Sequence, residues 1–227
     1  GEQKIGDIVT AFPKAADVFK EYRVDFCCGG DRILSDVLKE EGHSEKEILG
    51  RIHTLYEEFK DREDSQMDFV NEPSGPLSDY IVNTHHVYLN EELPRISEIV
   101  TLILRVHGGS HPELKEVHKL FHSLKMELEQ HLIKEEEIEF PLMKEDEKEE
   151  NFANREKIRE IIKELKEEHD AAGELLRQLR KVTNDYELPA DACNSYRIAY
   201  GKLEELENDI FQHVHLENNI LFPRYEE

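Results

Sequence analysis

The chain has no tryptophan and only three cysteines. Cys27 and Cys28 are adjacent and Cys193 stands apart. This spacing gives no disulfide framework and fits a reducing, cytoplasmic setting. Positive charge is scarce: 29 Lys and Arg face 52 Asp and Glu, a formal net charge of −23. Nucleic-acid binders need cations to neutralise phosphate, and anionic membrane surfaces attract the same residues, so the balance argues against both partners. No apolar run reaches the roughly 18 residues of a membrane span. Residues Gly1 to Thr10 lack the basic start and apolar stretch of a secretion leader, so none is expected. Glycine and proline are few, 11 and 8, and no segment alternates convincingly as a strand does. Apolar residues recurring at three and four leave helix as the main element.

The first part, to about Glu63, reads as three or four short helices. Ile5, Ile8, Val9 and Phe12 begin the first apolar pattern, and Pro13 opens the second. Leu34, Val37 and Leu38 follow the Cys27-Cys28-Gly29-Gly30 turn. Ser44 and Glu47 resemble a capping box for a helix through Ile48, Ile52, Leu55 and Phe59. The expected organisation is a small helical domain over 1–66, a linker over 67–76 centred on Asn71–Pro76, and a helical domain over 77–227. Four long segments are predicted in the last part: Leu77–Val106, Pro112–Met143, Phe152–Thr183 and Ala190–Phe222. Short breaks between long amphipathic helices predict an all-α, up-down four-helix bundle. Pro94 should kink or interrupt the first of these helices.

An internal repeat runs through the second domain. Gln130–Pro141 (QHLIKEEEIEFP) and Gln212–Pro223 (QHVHLENNILFP) share Gln, His, Glu, Ile, Phe and Pro at matched places. His86 and His169 precede them at a matching offset. In His131-x-x-x-Glu135 and His213-x-x-x-Glu217, helical spacing puts both side chains on one face. A single pair of this kind is a common surface feature of an acidic protein. Two at equal offset, each preceded by a matched histidine on an apolar stripe, point to a metal site. Four imidazoles and two carboxylates suit iron, manganese or zinc, and two carboxylates able to bridge favour a non-haem di-iron centre. The pattern differs from the Glu-x-x-His motif of ferritin-like bundles.

Among the other histidines, His86 shares the stripe of Leu89 and Leu93, so His85 should lie beside the site or be exposed. His107 and His111 flank Gly108-Gly109 as loop caps, with His107 a further candidate to approach the metal. His215 should face solvent. Cys27 and Cys28 read as reduced, reactive thiols, acting transiently on a metal, a sulfur atom or a redox partner. Cys193 reads as structural.

The stretches VDFCCGG, IVNTHH, RVHGGSHPEL, EQHLIKEEEIEFP, EEHDAAGELL and HVHLENNILFPR resemble the repair-of-iron-centres family, the YtfE/ScdA type of hemerythrin-like di-iron protein. The resemblance spans nearly the whole chain. It implies a metal-ligand set of His86, His131, Glu135, His169, His213 and Glu217. Two iron ions per chain would be bridged by Glu135, Glu217 and an oxo group. It further implies repair of iron–sulfur clusters damaged by nitric oxide or peroxide, with nitric oxide, dioxygen or peroxide as small ligands. Damaged iron–sulfur proteins are the implied partners, and the family's members are cytoplasmic, with dimers expected. His85 departs from the pattern, since close relatives have Tyr there. Iron donation and reductase-type chemistry on nitric oxide both fit. A gas or redox sensor is the alternative function, and a scaffold with a structural metal is a third.

Overall fold

The structure, a computed structural model, describes residues 2–59, 68–149 and 151–226. The chain divides into two compact units, Gly1–Pro73 with Phe211–Glu227, and Ser74–Ile210. The expected boundary at residues 66 and 67 lies outside the described residues. No strand occurs among the described residues beyond one antiparallel bridge between Lys4 and Ile33. No described helix is long and apolar enough to cross a membrane.

The first unit opens with four helices, α1 (Ile5–Ala11), α2 (Ala15–Glu21), α3 (Leu34–Glu41) and α4 (Glu45–Phe59). Their apolar stripes converge, burying Ile5, Val9, Phe19, Leu34, Leu38 and Ile48 with Phe26 from the intervening turn. Ser44 caps α4 as its sequence predicts, its Oγ accepting from Glu47 N at 3.4 Å. The Glu47 carboxylate accepts from Tyr22 Oη at 2.7 Å. Gly42 ends α3 at φ 77°, a left-handed position suited to glycine.

The unit also includes the end of the chain. Phe211 packs edge-on against Phe26, ring centroids 5.8 Å apart. Asn219 donates through Nδ2 to the carbonyls of Phe26 at 3.4 Å and Cys27 at 3.2 Å. Arg224 donates to the carbonyls of Phe69 at 2.9 Å and Glu72 at 2.7 Å.

In the second unit, α5 (Ser74–Ile81), a π-helical turn π1 (Val82–His86) and α6 (Val87–His107) make one rod. Next come α7 (Leu114–Lys134), a second π turn π2 (Glu135–Glu139) and α8 (Phe140–Lys148). Then follow α9 (Phe152–Thr183) and α10 (Asn194–Leu216), whose last turns pass into the first unit. A third π turn, π3 (Glu217–Leu221), and the short α11 (Pro223–Glu226) end the chain. The long rods form the expected up-down helical bundle. Leu93, Ile96, Val100 and Ile103 of α6 are buried, as are Val117, Phe121, Leu124 and Leu128 of α7 and Ile158, Ile162, Leu165 and Leu176 of α9. Arg180 of α9 and Glu207 of α10 form an ion pair at 2.7 Å.

Two boundaries differ from expectation. Helix already begins at Ser74, so Ser74 to Pro76 are helical and not linker. Pro94 lies inside α6, which continues on both sides of it. The charged run after Met143 stays helical to Lys148. Buried Asp146 staples the turn that follows, accepting from Asn151 N at 3.0 Å and Arg155 Nε at 2.9 Å.

Candidate metal centre

Within the second unit, four of the sequence-predicted ligands come together. His86 ends π1 and points Nε2 at Glu135 Oε2, 3.2 Å away. Glu135 opens π2, is fully buried, and places Oε1 3.1 Å from His131 Nε2. His169 of α9 sets its Nε2 3.1 Å from His131 Nε2. Bonds of about 2.1 Å meeting at right angles would put donor atoms about 3.0 Å apart, so neighbouring donors at these separations could share a cation. The donor set fits iron: imidazole and carboxylate are intermediate to hard ligands suited to it.

The outer ring nitrogens are held as well. His86 Nδ1 lies 2.8 Å from Glu136 Oε1, and His131 Nδ1 lies 2.8 Å from Glu168 Oε2. Lys134 pairs with the other Glu168 oxygen. His131, and then Lys134, hold the Glu168 carboxyl down at about 2, against the opposing effect of its partial burial. A carboxylate on Nδ1 fixes the tautomer and turns the Nε2 lone pair towards the centre. Glu136 and Glu168 escaped the sequence reading because each sits in a run of acids that looks like a solvated face. The available signal was that each directly adjoins a candidate ligand.

The second His-x-x-x-Glu pair lies at the end of the chain, in the first unit. His213 Nε2 is 2.8 Å from Glu217 Oε1, and both residues are buried. It reproduces the His131–Glu135 geometry, with Glu217 opening π3 as Glu135 opens π2. The repeat thus encodes a backbone feature that helical periodicity does not reveal. Pro141 and Pro223 each follow a π turn, and Phe222 N bonds to Glu217 O, five residues back, at 2.8 Å. A proline ring crowds the carbonyl four residues earlier, and a wider turn relieves that contact. Nothing in the local sequence accounts for π1.

His85, next to His86 in π1, is buried at 6% exposure, with Nδ1 2.9 Å from Asp209 Oδ1. His215 is not solvent-facing but 3% exposed. It meets Phe26 edge-on and lies 3.2 Å from Asn219 Nδ2, and burial lowers its pKa to about 4. His107 does not join the cluster of the second unit; its Nε2 faces Cys193 Sγ at 3.1 Å. Cys193 is exposed.

Cys27 and Cys28 lie in the turn before α3, some residues from its N-terminus, and form no disulfide. Cys27 is 3% exposed, and burial, then its bond with Cys28 and the nearby Asp25 charge, push its thiol well above the ordinary value. Burial disfavours the thiolate form of Cys27. Its Sγ lies 3.2 Å from Asp25 Oδ1 and 3.9 Å from Cys28 Sγ.

Two family models match the chain. Residues 78–225 match the hemerythrin HHE cation binding domain, and residues 1–56 match ScdA_N, a domain of unknown function. The iron-sulfur cluster repair protein ScdA of Staphylococcus haemolyticus is 31% identical over 224 residues, 99% of this chain and 98% of that protein. A probable iron-sulfur cluster repair protein of Haemophilus influenzae is 31% identical, over 98% of this chain and 96% of its own. The iron-sulfur cluster repair protein YtfE of Escherichia coli is 30% identical with the same coverage.

Proposed function

The chain belongs to the hemerythrin HHE cation binding family and to its ScdA/YtfE iron–sulfur cluster repair group, and we propose that it repairs iron–sulfur clusters through a di-iron centre. The observation that carries this reading is the buried His86–Glu135–His131–His169 cluster, with donor atoms 3.1–3.2 Å apart. We assign His213 and Glu217 as the remaining ligands, so that the six residues would hold two iron ions per chain. The repeat supports this assignment, because the second pair has the same spacing, the same π turn and the same burial. Full-length similarity to proteins named for cluster repair favours repair over a sensor.

These residues would hold iron, which would supply redox chemistry towards nitric oxide, dioxygen or peroxide, or would itself be the cargo handed to a damaged cluster. The chain's own groups set the conditions. Glu136 and Glu168 orient His86 and His131, and Lys134 keeps Glu168 charged. Burial of the donors excludes bulk water, which strengthens every charge interaction inside. Cys27 and Cys28 act as thiols in the repair step. The protein is proposed to work in the cytoplasm as a homodimer on damaged iron–sulfur proteins.

Metal analysis with Mössbauer spectroscopy of protein made with ample iron tests the centre. About two irons per chain are expected on the ligand count. His131→Ala/His213→Ala should lose them, and His43→Ala should not. Retention of both irons by the double variant refutes the ligand assignment. Recovery of a nitric-oxide-damaged iron–sulfur enzyme tests the activity, and full recovery with Cys27→Ser/Cys28→Ser at equal iron loading removes the thiols from the mechanism.

A further inference from the structure

We propose that Asp25, Cys27 and Cys28 form a second metal site, separate from the His/Glu centre. It takes one thiophilic divalent ion of the first transition row, ferrous iron included. Each of the three residues offers a donor atom, and these lie within 4.8 Å of one another. The Cys27 and Cys28 sulfurs stand 3.9 Å apart. Two metal–sulfur bonds of about 2.3 Å at the tetrahedral angle span about 3.8 Å, so the sulfurs already hold the spacing of one edge of such a site. Asp25 Oδ1, 3.2 Å from Cys27 Sγ, needs to open by only a few tenths of an ångström to complete a face.

The turn is built to hold these donors. Cys27 N donates to Asp25 Oδ1 at 3.0 Å, which turns the carboxylate towards the sulfurs. Gly29 packs over Asp25, where an added Cβ would stand 3.4 Å from the carboxyl carbon. Asn219 clamps the Phe26 and Cys27 carbonyls, and Gly6 N bonds to Gly30 O at 2.7 Å. A buried, inert thiol would account for Cys27 alone. It leaves unexplained a half-buried second sulfur turned to the first, with a carboxylate facing the pair.

Binding exchanges two thiol protons for one divalent ion: both protons pass to solvent and no oxidation state changes. Two thiolates and one carboxylate leave a fourth position on the side of the half-buried residues. That is the arrangement of a site that exchanges its ion with another protein, whereas a closed structural site has four protein ligands. The hand-over role rests on the repair reading; the binding site does not.

Cobalt(II) titration of the reduced, iron-loaded, full-length protein without oxygen tests the site, because thiolate–cobalt charge-transfer absorption reports sulfur ligands directly. Saturation at one cobalt per chain, with tetrahedral ligand-field bands, is expected. Cys28→Ser should halve the charge-transfer intensity, and Asp25→Asn should keep that intensity while weakening binding about tenfold or more. Cys193→Ser should change nothing. Melting curves confirm that each variant folds, and both Cys28 and Asp25 are exposed enough to replace safely. Absence of thiolate–cobalt absorption in the native protein overturns the proposal. So does absorption that survives Cys27→Ser/Cys28→Ser or disappears with Cys193→Ser. Iron analysis of the same samples reads the His/Glu centre independently, so failure at one site is distinguishable from failure at the other.

Discussion

Glu168 accepts the Nδ1 proton of His131 at 2.8 Å, and it does so from the position next to His169, whose Nε2 stands 3.1 Å from that of His131. One turn of α9 therefore supplies a candidate ligand and the group that orients its neighbour. Partners of this kind tune metal affinity strongly. Glu168→Gln should leave the helical fold intact and weaken iron binding by about 10- to 100-fold. The rate of iron loss to a strong chelator measures this. An unchanged rate would show that Glu168 serves only the ion pair with Lys134.

The Asn219 clamp predicts a stability cost of its own, because Asn219 holds the carbonyls of Phe26 and Cys27. An added Cβ on Gly30 would meet Asn219 Oδ1 at 2.5 Å and Phe26 O at 2.8 Å. Gly30→Ala should therefore destabilise the protein by about 1–3 kcal/mol, and Asn219→Ala by about 1–2 kcal/mol. Because both act on one contact, their costs should not add. Denaturant melts of the single and double variants decide this.

The thiols should differ in reactivity. Cys193 is exposed, Cys28 half-buried, and Cys27 buried with a raised pKa. Alkylation of the metal-free protein followed by mass spectrometry should label Cys193 first, then Cys28, and Cys27 last. Labelling of Cys27 as fast as Cys193 would contradict the buried thiol.

His111 links two loops, its Nδ1 2.9 Å from Glu113 and its Nε2 3.1 Å from Asp191. Asp191 first, then Glu113, raise its pKa above 6.5, and His111 in turn lowers that of Asp191 below 3.8. The raised histidine stabilises fully below its unfolded pKa and loses that contribution as pH rises through its folded one. The depressed aspartate stabilises above its unfolded pKa and loses it as pH falls through its folded one. The pair should therefore stabilise most between about pH 4 and 6.5, by a small, salt-sensitive amount because it is exposed. A double-mutant cycle of His111→Gln and Asp191→Asn across pH should show coupling in that window and none at pH 9.

A fragment spanning 77–227 should remain helical but melt below the full chain. It keeps every proposed His/Glu ligand but strips Phe211, Asn219 and Arg224 of their partners at Phe26, Cys27 and residues 69–72. Circular dichroism and iron content should show a lower midpoint and looser metal. A melt and iron content equal to the full chain would mean that those contacts carry no weight.

Side-chain periodicity and the repeat are local properties, and they made the helices and the two His-x-x-x-Glu pairs legible. Pairs four residues apart meet on any helix, as His131–Glu135 and His213–Glu217 do at 3.1 and 2.8 Å. His215 is different: the period of one regular helix points it to solvent, whereas packing against Phe26 buries that face too.

The amino-acid sequence by itself determined the helical class, the four-rod bundle and the residue types of the metal centre, since each follows from spacing along one helix. Only the tertiary structure decided that Glu136 and Glu168 hold His86 and His131, that Cys27 is a buried thiol facing Asp25 and Cys28, and that the chain's last turns pack with its first helices. Most of these contacts join residues far apart in the chain, and the turn at Cys27 takes its burial and its clamp from Asn219. Which distant faces meet depends on packing, and no local period encodes it.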